Sequence, residues 1–156
     1  MSRFFTQMVQ GTDSNMSANH TIEPIEESLV QDKRTLPADQ VEAYRERGLD
    51  MIRKGKCCAV VLAGGQGTRL GFDHAKGMFT LPKLQGVSIF EILIKRFIKV
   101  QMLAHGLDND AAIDKSKLSC RILIMTSKEN HAETVEFIAN KNKYFGASAD
   151  NFLFFQ

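Results

Sequence analysis

An uncharged apolar run ending on a pair of glycines constrains this chain more than any other feature. Cys57 to Ala63 carries no charge and runs directly into Gly64 and Gly65, with Gly67 close behind. Such a run predicts a strand buried on both faces, as in a parallel sheet. In open α/β sheets, ligands sit beyond the carboxyl ends of the strands. Glycines there let the backbone take positive φ and bring N–H groups close to a bound anion. Gly64, Gly65 and Gly67 are expected to serve that purpose.

Neither common glycine fingerprint fits. The dinucleotide pattern GxGxxG fails because Leu70 stands where the third glycine would follow Gly65 and Gly67. The phosphate-loop pattern GxxxxGK[ST] fails because no glycine is followed by Lys and then Ser or Thr. What remains is a strand, its glycines, and then Arg69 and Lys76. An arginine offers a planar fork to phosphate oxygens, and a lysine offers a mobile point charge. Together they suit a triphosphate, where they would stabilise charge building up on a leaving pyrophosphate or on the phosphorus under attack. Standing alone, the same pair would be ordinary solvated cations after a tight turn; the glycines at a strand end favour the phosphate reading.

The rest of the chain supplies an α/β alternation. Residues 1 to about 20 are rich in Ser, Thr, Asn and Gln without periodicity and read as a mobile tail. Acids collect between Ile22 and Asp32, as a short helix or a solvated face. Ala38 to Lys54 has helical spacing of Val41, Tyr44, Leu49 and Ile52, with Gly48 expected to divide it and Gly55 to release it. Phe72 to Gln85 reads as irregular. Ser88 and Glu91 form a capping box for a helix whose apolar face is Phe90, Leu93, Ile94, Phe97 and Met102 to Ala104, closed by Gly106. Leu107 to Ser119 is a polar connection. A second strand covers 120–126. Asn130 and Glu133 repeat the capping spacing ahead of Val135, Phe137 and Ile138, and Tyr144-Phe145-Gly146 ends that helix. Phe152 to Phe155 is a third strand. The three strands, 57–63, 120–126 and 151–155, are expected to be parallel and joined by right-handed crossovers in three layers.

Composition excludes several classes. With 156 residues, 44% of them hydrophobic, the chain can build a real core. A net charge of +2, with no long basic run, gives nucleic-acid binding no support. Cys57, Cys58 and Cys120 lack CxxC spacing and read as buried free thiols of a reducing compartment, against a disulfide scaffold or a zinc site. His20, His74, His105 and His131 share no ligand spacing and read as surface or loop residues. No apolar stretch is long enough to span a membrane. Met1 to Phe5 lacks a secretory h-region. Arg3 and the scattered serines would suit a mitochondrial leader, but Asp13 and the single early arginine weigh against it, so cytoplasm is the expected compartment.

The run Leu62-Ala63-Gly64-Gly65-Gln66-Gly67-Thr68-Arg69-Leu70-Gly71, with Lys76-Gly77-Met78 downstream, closely resembles the signature of eukaryotic UDP-N-acetylglucosamine pyrophosphorylases, within the wider UDP-sugar pyrophosphorylase family. The resemblance implies that Leu62, Ala63, Gly64 and Gly65, with Lys76, bind the uridine nucleotide, and that Gly65, Arg69 and Lys76 are required for catalysis. It implies a Rossmann-like sheet of the nucleotidyltransferase type, with residues 1–56 a tail and helical arm and 57–156 the first part of the nucleotide-binding domain. The reaction implied joins UTP and N-acetylglucosamine 1-phosphate into UDP-N-acetylglucosamine and pyrophosphate, with Mg²⁺ on the triphosphate and its protein ligand beyond Gln156. The family usually has proline where Ala75 stands, so the loop carrying Lys76 is expected to be looser here.

Two other readings stay open at this stage. The first is a non-catalytic nucleotide-binding or interaction fragment of a longer protein, suggested because the third strand lacks sequence to cover it. The second is a dinucleotide-dependent oxidoreductase, against which the missing third glycine counts. Oligomeric state and the sugar are not written in these residues.

Overall fold

The computed structural model describes residues 23–108 and 111–156. The expected tail and His20 lie outside the described residues. The chain divides into two compact units, residues 1–41 and 42–156. In the first, Glu27–Leu29 forms an exposed 3₁₀ turn, and Arg34 grips Asp32 at 2.6 Å on the surface.

Helix α1, Ala38–Arg53, is continuous. Gly48, expected to divide it, sits in its interior with nothing within 4 Å of where a Cβ would stand. The local cost of that glycine is outweighed by a well-made end. Gly55 takes φ 66°, with Lys56 N–H donating to Met51 O and Gly55 N–H to Ile52 O, each 2.9 Å, a complete Schellman stop. Arg53 Nε then donates to Ala104 O at 2.7 Å, the open carbonyl end of another helix.

The remaining elements are β1 (Cys58–Leu62), β2 (Thr80–Leu81), β3 (Val87–Ser88), α2 (Ile89–Ala104), β4 (Arg121–Met125), α3 (His131–Val135, continued by a π-helical stretch Glu136–Lys141) and β5 (Phe152–Phe155). β1, β4 and β5 pair in parallel in that spatial order, with Val60, Leu123 and Leu153 in one row. The three expected strands are therefore present and parallel. β2, inside the segment Phe72 to Gln85 read as irregular, pairs with β3 just beyond it in a small antiparallel ribbon, each strand too short to show a period.

The second and third layers of the expected sandwich are not both present among the described residues. Buried Phe90, Ile94, Ile98 and Met102 of α2, with Ile138 beyond α3, pack with Ile122 and Ile124 in one core. On the opposite face Val60 is 53% exposed and Leu62 75%. The physical reason is the strand order. A sheet that grows in one direction, β1 to β4 to β5, receives successive crossover helices of one hand on the same face. Burial of β1 on both faces would need a strand order that reverses.

The capping of α2 is half as expected. Ser88 Oγ accepts from Glu91 N–H at 3.1 Å, while the Glu91 carboxylate pairs with Lys95 at 2.5 Å. The buried stripe also differs: Leu93 and Leu103 are exposed, and Ile98 and Gln101 are buried instead. Gln101 is tolerated there because its Oε1 accepts the N–H of Cys120 at 2.7 Å. Gly106, at φ 75°, closes the helix as expected. The left-handed run Lys143, Tyr144, Phe145 and Gly146 turns the chain after the π-helical stretch. Of the thiols, Cys120 is buried, Cys57 half-buried and Cys58 exposed, so the reading of all three as buried fails at Cys58, which lies on the uncovered face.

Because Gly48 has open space around it and lies mid-helix, Gly48→Ala is expected to stabilise the chain by about 1 kcal/mol. A denaturant melt checks this; a lower midpoint would mean that the helix bends or breaks there.

Candidate functional site

The glycine loop leaves the sheet at Ala63, whose N–H continues the ladder by donating to Met125 O at 2.8 Å. Its carbonyl accepts from Asn130 Nδ2 at 2.9 Å, and Asn130 Oδ1 accepts from Ser127 N–H at 2.9 Å. Asn130 is completely buried. The loop then closes on itself. Lys76 N–H donates to Gly65 O at 3.2 Å and Gly67 N–H to His74 O at 2.9 Å, about a single antiparallel bridge between Gln66 and Ala75. Inside it, a 3₁₀ turn at Thr68–Leu70 ends on Gly71 at φ 64°. Phe72 meets His74 and Phe79 edge-on, at 5.2 and 5.5 Å between ring centres.

The returning limb is fastened to α3. Ala75, fully buried, donates its N–H to Glu133 Oε1 at 2.8 Å, and Glu133 Oε2 lies 3.0 Å from His74 Nδ1. The proline-free loop is thus held by a carboxylate. Asn130 and Glu133 do not form the expected capping box: neither side chain caps α3, because both reach across to the glycine loop.

Gly64, Gly65 and Gly67 correct another expectation, since none of them takes positive φ. Space explains Gly67 and a fourth glycine. A Cβ on Gly67 would come within 2.9 Å of Phe72, and one on Gly77 would stand 2.3 Å from the ring of Phe90. Gly65 differs, having nothing within 4 Å. It faces open space, beside which Lys76 is exposed.

Two cavities adjoin there. One, of about 510 Å³, is lined by Gln66, Gly67, Thr68, Arg69, Leu70 and Lys76. The other, of about 230 Å³, has Leu62, Ala63, Gly65, Ile89 and Leu93 among its walls, and again Lys76. The structure therefore brings every sequence-singled site residue except Gly64 to the wall of one cavity or the other, with Lys76 common to both. Gly64 lies behind them, against Met125. A guanidinium and an ammonium on one cavity can take phosphate oxygens, and an apolar neighbour can take a flat ring.

The histidines are not all surface residues. His74 is exposed, but His131 is half-buried, its Nδ1 2.8 Å from Thr126 Oγ1 and its ring edge-on to Phe154. His105 is half-buried with Nε2 shielded from solvent. Sequence reading missed Asn130 and Glu133 as loop anchors. Their spacing was visible, but not the direction in which the side chains turn.

The whole chain, residues 1–156, matches the family model for UTP–glucose-1-phosphate uridylyltransferase, and the chain belongs to that family. It is 36% identical over 135 residues to UDP-N-acetylglucosamine diphosphorylase 2 of Arabidopsis thaliana, covering 86% of this chain and 26% of that protein. Against the UDP-N-acetylglucosamine pyrophosphorylase of Saccharomyces cerevisiae it is 34% identical over 112 residues, covering 72% and 21%. The crystal structure of the Trypanosoma brucei UDP-N-acetylglucosamine pyrophosphorylase in complex with an inhibitor superposes with a TM-score of 0.60 at 34% identity, over 76% of this chain and 23% of that one. The chain spans about a quarter of the length of these relatives.

Three substitutions probe the loop. Ala75 has φ −51°, which a proline ring accepts, but Ala75→Pro removes the N–H that Glu133 holds. A gain of about 0.4–1 kcal/mol from the unfolded state then meets a loss of about 1.5–3 for a hydrogen bond to a charged group. The variant is expected to be less stable by on the order of 1 kcal/mol in denaturant melts. Gly77→Ala drives a methyl into Phe90 and is expected to cost about 1–3 kcal/mol, whereas Gly65→Ala should leave stability within about 0.5 kcal/mol.

Proposed function

We propose that this chain supplies the UTP-binding part of a uridylyltransferase that makes UDP-N-acetylglucosamine and pyrophosphate from UTP and N-acetylglucosamine 1-phosphate. The observation that carries the proposal is the position of Lys76 on the wall shared by a cationic cavity and an apolar one. A nucleoside triphosphate has this division, a polyanion joined to a flat base. The names of the relatives give the sugar and the reaction. In this reading residues 57–156 are the first part of the nucleotide-binding domain, of the Rossmann-like nucleotidyltransferase type, and 1–56 its tail and arm.

The chemistry asks for no protein nucleophile. An oxygen of the sugar phosphate attacks the α-phosphorus of UTP in line, the bond from that phosphorus to the bridging oxygen breaks, and pyrophosphate leaves with the electron pair. Arg69 and Lys76 stabilise the charge gathering on the leaving oxygens. Leu62, Ala63 and Gly65 form the nucleotide wall with Gly64 behind them, and Gly65 keeps it open, because any side chain there would enter the space the nucleotide takes.

Mg²⁺ belongs to this reading as a partner of the triphosphate, where it would neutralise charge. Among the described residues no group of three or more His, Cys, Asp or Glu could hold a metal. The two cavity walls carry no carboxylate. These residues therefore do not fit a metal site, and no step is assigned to one. No described helix is long and apolar enough to cross a membrane; a cytoplasmic setting is part of the proposal, argued from the thiols.

Titrating the chain with UTP tests the reading, with Gly65→Ala and Lys76→Ala as the informative variants. Both should lose affinity while melting like the parent, and unchanged binding by both would remove the loop from the site. In a protein of the relatives' full length carrying these residues, Arg69→Ala or Lys76→Ala should lower turnover by about 10²–10³, the loss expected for one donor to developing charge. Pyrophosphate release is the assay. The 156-residue chain alone should bind UTP yet release little pyrophosphate, since rate depends on holding the sugar phosphate in line. Release at the rate of a full-length relative would overturn that division of labour.

A further inference from the structure

Glu133 lines neither cavity, yet it makes the contacts that fix the limb leading into Lys76. Its two carboxylate oxygens divide between consecutive residues, Oε1 on the Ala75 N–H at 2.8 Å and Oε2 at 3.0 Å from His74 Nδ1. Those residues are the return side of the loop's antiparallel bridge. His74 O holds Gly67 N–H at 2.9 Å, Ala75 bridges Gln66, and the next residue, Lys76, donates its N–H to Gly65 O at 3.2 Å. Ala75 has no solvent exposure, so water cannot replace the carboxylate on its N–H without opening the loop.

We propose that Glu133 is a positioning residue for Lys76: the carboxylate clamps Ala75 and His74 to α3 and so sets the backbone position from which the Lys76 side chain reaches the two cavities. The consequence for nucleotide binding rests on the UTP reading given above; the clamp itself does not. Proline at position 75 would stiffen the backbone without any partner, whereas here the stiffness comes from a hydrogen bond that a side chain supplies from another element. The Glu133 side chain is 31% exposed, so its substitution leaves the core cluster intact.

Amide hydrogen exchange on the whole chain, with and without UTP, tests the clamp. Glu133→Ala should speed exchange at Ala75, Lys76 and Gly67 by tenfold or more while Ile122 and Ile124 in β4 exchange as before. It should weaken UTP binding on the order of tenfold, the scale of one charge-assisted hydrogen bond. Glu133→Gln keeps an oxygen for Ala75 and an amide for His74, and should restore both readings; general destabilisation would not be rescued in this way. In an Ala75→Pro background, Glu133→Ala should add little to the loss of UTP affinity. If Glu133→Ala does not fold, Glu133→Ser, too short to reach Ala75, carries the same comparison. Unaltered exchange at Lys76 and Gly67, or failure of Glu133→Gln to restore it, overturns the proposal. Absence of UTP binding by the parent chain would instead remove the nucleotide reading, with the exchange data still deciding the role of Glu133.

Discussion

The carboxamide of Asn130 is the contact on which the geometry of the site depends. It is completely buried, takes Ser127 N–H on its oxygen and gives its nitrogen to Ala63 O, while its backbone carbonyl accepts from Thr134 N–H at 3.0 Å. A buried amide left unpaired would cost on the order of 1–3 kcal/mol, so these bonds are made together or the turn does not form. They tie the exit of β1 to the exit of β4 and to the first turn of α3. The glycine loop therefore departs from a fixed point. One turn further along the same helix face, at the i, i+3 spacing, Glu133 holds the loop where it returns. One short helix thus governs both ends of a loop that precedes it by some sixty residues in sequence, a relation that only the parallel pairing of β1 with β4 makes possible.

Much of this was legible in the residues. The apolar runs gave the three strands and their parallel pairing, Ser88 gave the start of α2, and Gly55 and Gly106 gave two helix ends, because each of these is a local rule carried by local residues. The signature from Leu62 to Gly71 gave the family. What was not legible depended on which surfaces meet. An uncharged run such as Cys57 to Ala63 states that a strand could be buried on both faces, but not that the sheet grows in one direction and leaves Val60 and Leu62 bare. Gly48 is a poor helix residue by any local measure, and the helix passes through it because its end is fastened by Gly55 and Arg53. An Asn followed three residues later by Glu reads as a cap; the burial of Ala75 across the fold turns it into an anchor.

The glycines show the same difference between local and spatial reasons. Positive φ was the local expectation for Gly64, Gly65 and Gly67, and it is met at Gly71 instead, after the 3₁₀ turn. Gly67 and Gly77 are there because rings of Phe72 and Phe90 occupy the places of their Cβ atoms. Gly65 has room to spare and no positive φ to require a glycine. A position that tolerates a methyl group sterically and still carries glycine, on the wall of the apolar cavity beside an exposed lysine, makes its absent side chain meaningful in terms of what approaches from outside.

Lys76 is where these constraints converge. Its own N–H is taken by Gly65, the residue before it is buried and bonded to Glu133, and the residue after it lies against the Phe90 ring that anchors α2. Its backbone is therefore fixed from both directions, while its side chain stays exposed and keeps its rotamer freedom. Ordering a lysine costs up to about 2 kcal/mol of side-chain entropy, which a solvated ammonium does not recover alone. A chain that holds the backbone of such a residue this firmly has removed the larger part of the uncertainty in where its charge can be delivered. What remains is a search by four side-chain torsions over two adjoining cavities, which a polyanion entering either one can end by pairing with the ammonium.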